Sequence, residues 1–249
     1  MDNIYKKLII FSRKVNDPRE FIIPKVKFAI MGGPRTGSSY LHSKLDSHPH
    51  ITCWNSEVFN KDCVFDRSQM TMDEFLNTIL FKVKTKVVGF KFLYDAMLRI
   101  GKANDVAEFL NKYGIQIVHI QRANLLDQVI SLKLAQINNV WSTYYGQYTT
   151  DQIELDPEFV KKRFEFITKY NEDIHKMAIN HHVPYFTLSY DKLINDELDE
   201  LFTYLKVKPM PTSSKLQKQR IKTQSDSIKN YNELKDYFKD TEYYKYFVD

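Results

Sequence analysis

The order of apolar runs and helical stripes predicts an α/β fold: three layers, with a central, mostly parallel sheet flanked by helices. Two observations carry this. Apolar runs at Val26–Met31, Ile51–Trp54, Lys86–Leu93, Ile115–Ile120 and Val183–Ser189 read as strands, and segments of helical spacing alternate with them. The first run stops at Gly32-Gly33-Pro34, a turn signal, and helical spacing resumes with Leu41 and Leu45 until Pro49 ends it. Strand, glycine-rich turn, helix is the context of a phosphate-cradling loop. Small residues let backbone N–H groups approach an anion, and the helix N-terminus adds its positive end.

The remaining elements follow from local signals. Residues 1–25 read as a peripheral arm, broken at Asp17-Pro18 and Pro24. Thr71 and Glu74 have capping-box spacing ahead of a stripe of Met72, Phe75, Leu76, Ile79 and Leu80. A helix over roughly Asn104–Tyr113 stops at Gly114, a natural C′ residue. Asn124 caps the next helix, with Asp127 at its third position and Leu126, Val129, Ile130 and Leu134 as its stripe. Trp141 to Leu155 is polar, tyrosine-rich and aperiodic, a long loop. Asp156 as cap and Pro157 as first helical residue open a long helix that buries Val160, Phe164, Ile167, Tyr170, Ile174 and Met177. Asp191 is expected to cap a helix running to about Leu205. Lys215–Lys229 is basic and Ser/Gln-rich, and Tyr231–Phe247 is helical and aromatic.

Composition bounds the function. The chain has 249 residues, 43% of them hydrophobic and 14% aromatic, so a globular chain with a sizeable core is expected. No internal repeat or composition break appears, which predicts one domain over residues 1–249. The net charge of +5 suits an anionic ligand, but no nucleic-acid motif is present. No apolar run reaches the roughly 18 residues of a membrane span, and Leu8–Phe11 is too short for a signal segment. A soluble, cytoplasmic protein is expected. Cys53 and Cys63 do not make a disulfide framework, and the histidines show no metal spacing, so no metal is expected.

The glycine-rich turn makes the fold P-loop-like, with altered chemistry. Gly32 and Gly37 match G-x-x-x-x-G, but the next two positions are Ser38 and Ser39 where a nucleotide-binding P-loop has Lys and Ser/Thr. The cation sits inside the loop instead, at Arg35. The same spacing also fits an ordinary Gly-Gly-Pro turn capped by Ser38. Ligands of parallel sheets sit at the carboxyl ends of strands. That rule gathers Gly32–Ser39 after the first strand, Glu57 after the second, Lys91 near the end of the third and Arg122 after the fourth. Arg122 is a candidate second anion site, since Arg makes bidentate contacts with phosphate; a surface salt bridge is its bland alternative. A P-loop kinase also needs an acidic strand end for Mg²⁺. Strand four ends in Gln121-Arg122, and a sulfuryl group, less charged than a phosphoryl, would not require the metal.

Together these residues resemble the sulfotransferases that use 3′-phosphoadenosine-5′-phosphosulfate (PAPS). Pro34-Arg35-Thr36-Gly37-Ser38-Ser39 resembles their 5′-phosphosulfate loop, and Arg122 with Ser131 nine residues later resembles their 3′-phosphate motif. The chain looks most like the bacterial carbohydrate group that includes nodulation-factor and trehalose sulfotransferases. The supporting pieces are Ser47-His48-Pro49, Ser56-Glu57-Val58-Phe59, Val88-Gly89-Phe90-Lys91, Ile120 to Trp141, Leu188-Ser189-Tyr190-Asp191 and Lys222-Thr223-Gln224. Asn55-Ser56 departs from that group, which often has a glycine before the glutamate.

The resemblance implies a sulfotransferase moving a sulfuryl group from PAPS to a hydroxyl, on a carbohydrate or glycolipid. It implies that Arg35, Thr36, Gly37, Ser38 and Ser39 hold the 5′-phosphosulfate, and that Arg122 and Ser131 hold the 3′-phosphate. Residues 212–249 would cover the donor, with Lys222 contacting it. Glu57 would be the base, and Arg35 and Lys91 would stabilise charge. In the loop from Trp141 to Leu155, the aromatic faces of Trp141, Tyr144, Tyr145 and Tyr148 suit an acceptor sugar, with cover for the core as their bland alternative. No metal, nucleic-acid partner or membrane span is expected; an oligomer stays open. The competing readings are a P-loop nucleotide phosphotransferase, against which the absent Lys argues, and a non-catalytic carbohydrate-binding relative, against which the intact Arg35, Ser38, Arg122 and Ser131 argue.

Overall fold

The computed structural model describes residues 20–54, 57, 59, 70–93, 101–142, 146–217 and 222–248. Five strands form one all-parallel sheet: β1 (Val26–Met31), β2 (Ile51–Trp54), β3 (Val87–Lys91), β4 (Ile115–Gln121) and β5 (Tyr185–Ser189), in the order β2-β3-β1-β4-β5. Helices cover both faces, which is why β3 is buried at every position and the strands read as unbroken apolar runs.

Alternation along β1 divides the core. Phe28 and Ile30 point to one face, where they pack with Leu41 and Leu45 of α1 (Ser38–Ser47). The same face holds Leu193 of α6 (Tyr190–Ile194) and Leu201 of α7 (Asp199–Tyr204). Ala29 and Met31 point to the other face. That side is covered by α2 (Met72–Phe75), α3 (Ala103–Tyr113), α4 (Leu125–Asn138) and α5 (Pro157–Asn180). The chain after β1 thus turns to one face and the chain after β4 to the other, which opens a crevice at the carboxyl ends of the strands.

Local signals set most helix ends. Asp156 accepts from the Phe159 N–H at 2.9 Å, with Pro157 first in the helix. Asn124 accepts from the Asp127 N–H at 3.0 Å. Thr71 and Glu74 form the reciprocal capping box, and Gly114 closes α3 in the left-handed conformation at φ 62. All the residues expected on the buried stripe of α5 are buried.

Five expectations change. The stripe from Met72 continues beyond α2 as a π-helical stretch, Leu76–Leu80, rather than as one α-helix. The helix after β5 is capped by Ser189, which accepts from the Lys192 N–H at 3.1 Å, and Asp191 lies within its first turn. That helix does not run to Leu205. It stops at Asn195, and Asp196 takes φ 61 before α7 begins. The Lys215–Lys229 stretch contains a short helix, α8 (Gln224–Ser227). The final aromatic segment is α9 (Tyr231–Phe238) followed by a 3₁₀ turn, Glu242–Tyr246.

Candidate functional site

The loop after β1 is held from below. Gln128 on α4 donates to the Pro34 carbonyl at 2.8 Å and to the Tyr170 hydroxyl at 2.9 Å. Tyr170, on α5, lies directly under the loop: a Cβ on Gly33 would fall 2.2 Å from its hydroxyl oxygen. Only a glycine lets the backbone approach so closely. Thr36 is buried and donates its hydroxyl to the Gly33 carbonyl at 2.9 Å, so it braces the loop. Gly37 has φ 95, and a Cβ there would meet the Tyr190 ring at 2.7 Å. Arg35 is itself left-handed at φ 65, an uncommon conformation for a residue with a Cβ.

A cavity of about 410 Å³ opens above this loop, lined by Arg35, Gly37, Ser38, Ser39, Arg122, Ser131 and Tyr190 among others. Tyr40, Trp141, Ser142, Ile194, Leu216 and Gln217 form the rest of its rim and wall. Six of the sequence-selected binding residues therefore share one cavity: Arg35, Gly37, Ser38, Ser39, Arg122 and Ser131. Thr36 is one step behind them. Lys222 is not among the lining residues; its ammonium pairs with Asp151 at 2.6 Å.

The two cations meet the cavity differently. Arg35 reaches across it: Nε donates to Ser131 Oγ at 3.0 Å, Nη1 to the Trp141 carbonyl at 2.5 Å and Nη2 to the Tyr148 hydroxyl at 3.2 Å. Burial lowers the Arg35 pKa, with Tyr148 opposing and Arg122 adding to that shift. Arg122 is 9% exposed, pairs with Asp127 at 3.3 Å and lies over the Tyr190 ring at 4.6 Å. Tyr190 thus touches both the loop at Gly37 and the second cation. The Asp127 carboxylate also accepts from Gln224 Nε2 at 3.3 Å, and that amide donates to the Tyr246 carbonyl at 3.0 Å. The C-terminal segment is tied to the site through Gln224.

Lys91 and Glu57 form a second group beside the loop. Lys91 Nζ lies 3.4 Å from Ser39 Oγ and 3.8 Å from Glu57 Oε1. Burial lowers the Lys91 pKa, and Glu57 pulls it back up. Glu57 keeps 31% of its side chain exposed, so its carboxylate can meet a ligand. His48, the alternative base if Glu57 were not one, is elsewhere: 1% exposed at the far end of α1, it accepts from the His50 N–H at 3.1 Å and lies 3.1 Å from the Lys208 carbonyl.

Reasoning from sequence missed three participants. Gln128 lies between Leu125 and Leu132 on the buried side of α4, and a polar residue there was a usable signal. Tyr190 sat inside a quoted motif without a role. Tyr148 is turned toward Arg35, whereas the sequence placed it with the acceptor. Tyr144 and Tyr145 lie outside the described residues. Among the described residues, no group of three or more His, Cys, Asp or Glu could hold a metal ion, and no helix is long and apolar enough to cross a membrane.

No protein-family model matches the chain, and no curated protein matches it. Among solved structures, a sulfotransferase from Alicyclobacillus acidocaldarius is similar, at 16% identity and a TM-score of 0.42, covering 87% of this chain and 91% of that one.

Proposed function

We propose that this chain is a sulfotransferase that moves a sulfuryl group from PAPS to a hydroxyl, on a carbohydrate or glycolipid. The observation that carries this reading is the sharing of one cavity by the β1 loop and Arg122. Two guanidinium groups, the hydroxyls of Ser38, Ser39 and Ser131 and a glycine-rich turn line a space of about 410 Å³, within the range of small-molecule sites. A nucleotide with anionic groups at both its 5′ and 3′ sides matches that donor set.

In this reading Gly37, Ser38 and Ser39 hold the 5′-phosphosulfate while Thr36 keeps the loop in shape. Arg122 and Ser131 hold the 3′-phosphate, and Arg35 reaches between the two. PAPS, when bound, supplies a sulfuryl group whose transfer leaves negative charge on the bridging oxygen. Cations already fixed around that position stabilise the charge without reorganising. Glu57 takes the proton of the acceptor hydroxyl. Lys91 balances Glu57 and supports Ser39. Residues 1–249 act as one catalytic domain, and 212–249 cover the donor, through Leu216 and Gln217 at the cavity wall and Gln224 beneath.

Titration calorimetry with 3′-phosphoadenosine 5′-phosphate (PAP) in the presence of EDTA tests this. PAP is expected to bind tightly and ATP weakly. Binding of ATP in preference to PAP would overturn the proposal in favour of a nucleotide phosphotransferase. Failure to bind either would favour a non-catalytic relative.

A further inference from the structure

The end of the sheet opposite the cavity, where β1 and β3 begin, is both apolar and basic. Residues 20–25 are laid onto the segment that leads into β3: the Ile22 N–H donates to the Val83 carbonyl at 2.9 Å, and the Lys25 N–H to the Lys86 carbonyl at 2.8 Å. This lifts Phe21, Ile22 and Ile23 out of the core, to 54%, 42% and 88% exposure. They border a groove of about 430 Å³ together with Lys27, Phe81 and Lys82. The Lys82 and Lys84 ammonium groups stand 5.1 and 5.3 Å from the centre of the Phe21 ring. Lys25 and Lys86 are exposed beside them. Across residues 20–27 and 77–86 the sole acid is Glu20. On the neighbouring α2, Asp73 is paired with Lys112 and Tyr113, and Glu74 is engaged in the Thr71 cap.

We propose that this end of the sheet is a docking face for an anionic lipid surface. Apolar tips ringed by lysines match the headgroup boundary of a bilayer: the side chains of Ile23 and Phe21 enter the acyl margin while the lysines meet anionic headgroups. A nucleic acid would use the lysines and leave Ile23 in water. A second copy of the same face would set lysine against lysine. β1 runs from this end of the sheet to the cavity end, roughly 20 Å at ordinary strand rise. Docked this way, the chain turns its cavity away from the bilayer, toward acceptors that project from the surface or arrive from solution.

Co-sedimentation of the full chain with lipid vesicles tests the proposal. Vesicles of phosphatidylcholine and phosphatidylserine in roughly equal parts should bind it at least about tenfold better than phosphatidylcholine alone. High salt should release it. Lys82→Gln with Lys84→Gln should weaken binding by roughly fivefold per lysine. Phe21→Ser with Ile23→Ser should reduce it further, and PAP affinity should not change in either variant. Three results would overturn the proposal: no binding to the anionic vesicles, equal binding to both kinds, or binding that neither double variant diminishes, which would assign it to another segment such as the basic residues 1–19. Loss of a solution dimer in Ile23→Ser without any lipid binding would mark the face as a self-interface instead.

Discussion

Arg35 Nε donates to Ser131 Oγ at 3.0 Å, a contact between residues 96 positions apart. It joins the loop of β1 to the middle of α4, so the two anion sites read from sequence form one continuous polar wall. The same guanidinium is held by the Trp141 carbonyl and by the Tyr148 hydroxyl. A long side chain fixed by three partners has little rotamer entropy left to lose when an anion arrives.

Tyr148 therefore acts on the donor side. Tyr148→Phe keeps the ring and removes the hydroxyl that accepts from Arg35 at 3.2 Å. PAP affinity should fall by roughly 0.5–1.5 kcal/mol in calorimetry, with the acceptor KM little changed. A rise in acceptor KM alone would return Tyr148 to the acceptor side.

Arg122→Ala should abolish the preference for a 3′-phosphate. The loss expected is roughly 1.5–3 kcal/mol for PAP, with little change for adenosine 5′-phosphate, if the contact is charge-assisted. Comparing the two ligands by calorimetry is decisive. Equal losses for both would show that Arg122 does not contact the 3′-phosphate.

Glu57→Gln should retain PAP affinity and lose roughly 10²–10⁴-fold in kcat, the usual cost of removing a general base. The amide preserves shape but cannot take a proton, and Glu57 lines up with Lys91 at 3.8 Å rather than with the two arginines. Turnover within a few-fold of the parent would exclude Glu57 as the base. His48 would not replace it, because its ring is buried at the other end of α1.

Gly33→Ala tests the support under the loop. The added methyl would fall 2.2 Å from the Tyr170 hydroxyl, with no room for it. Overpacking of this kind costs roughly 1–3 kcal/mol, measurable by urea denaturation. Pairing it with Tyr170→Leu, which removes the ring carbons at 2.2 and 2.5 Å as well as the hydroxyl, should recover part of the loss, and independent, additive losses would mean that the two residues are not in contact.

Acid stability should report His119. Its buried ring faces Tyr185 Oη at 2.6 Å and Asn171 Oδ1 at 3.0 Å. Burial pushes its pKa down from 6.5 to about 4, with Asn171 opposing and His175 adding to the shift. Between those values the unfolded chain binds a proton that the folded chain does not. Stability therefore falls as the pH drops from 6.5 toward 4, by up to about 3 kcal/mol, and the loss levels off below. Denaturation across that window should show the slope, and His119→Gln should flatten it.

The sequence by itself determined what depends on neighbours a few residues away. The apolar run Val26–Met31 became β1 with those bounds, and Asp156-Pro157 opened α5 where a cap and a first-turn proline belong. The loop from Gly32 to Ser39 was legible because strand, glycines and helix are contiguous, and so was the buried stripe of α4. Competing local signals were less decisive. Both Ser189 and Asp191 can cap a helix, and Ser189 prevailed because β5 ends there, paired with Gln121 across the sheet. Tertiary structure alone decided which distant side chains met. It put Ser131 and Tyr148 on Arg35, Tyr170 beneath Gly33, Tyr190 between Gly37 and Arg122, and Lys222 on Asp151. Those contacts arise from the order in which crossovers lay strands beside β1. Strand order leaves no trace in the local pattern, because every buried parallel strand satisfies the same apolar rule whichever neighbour it pairs with.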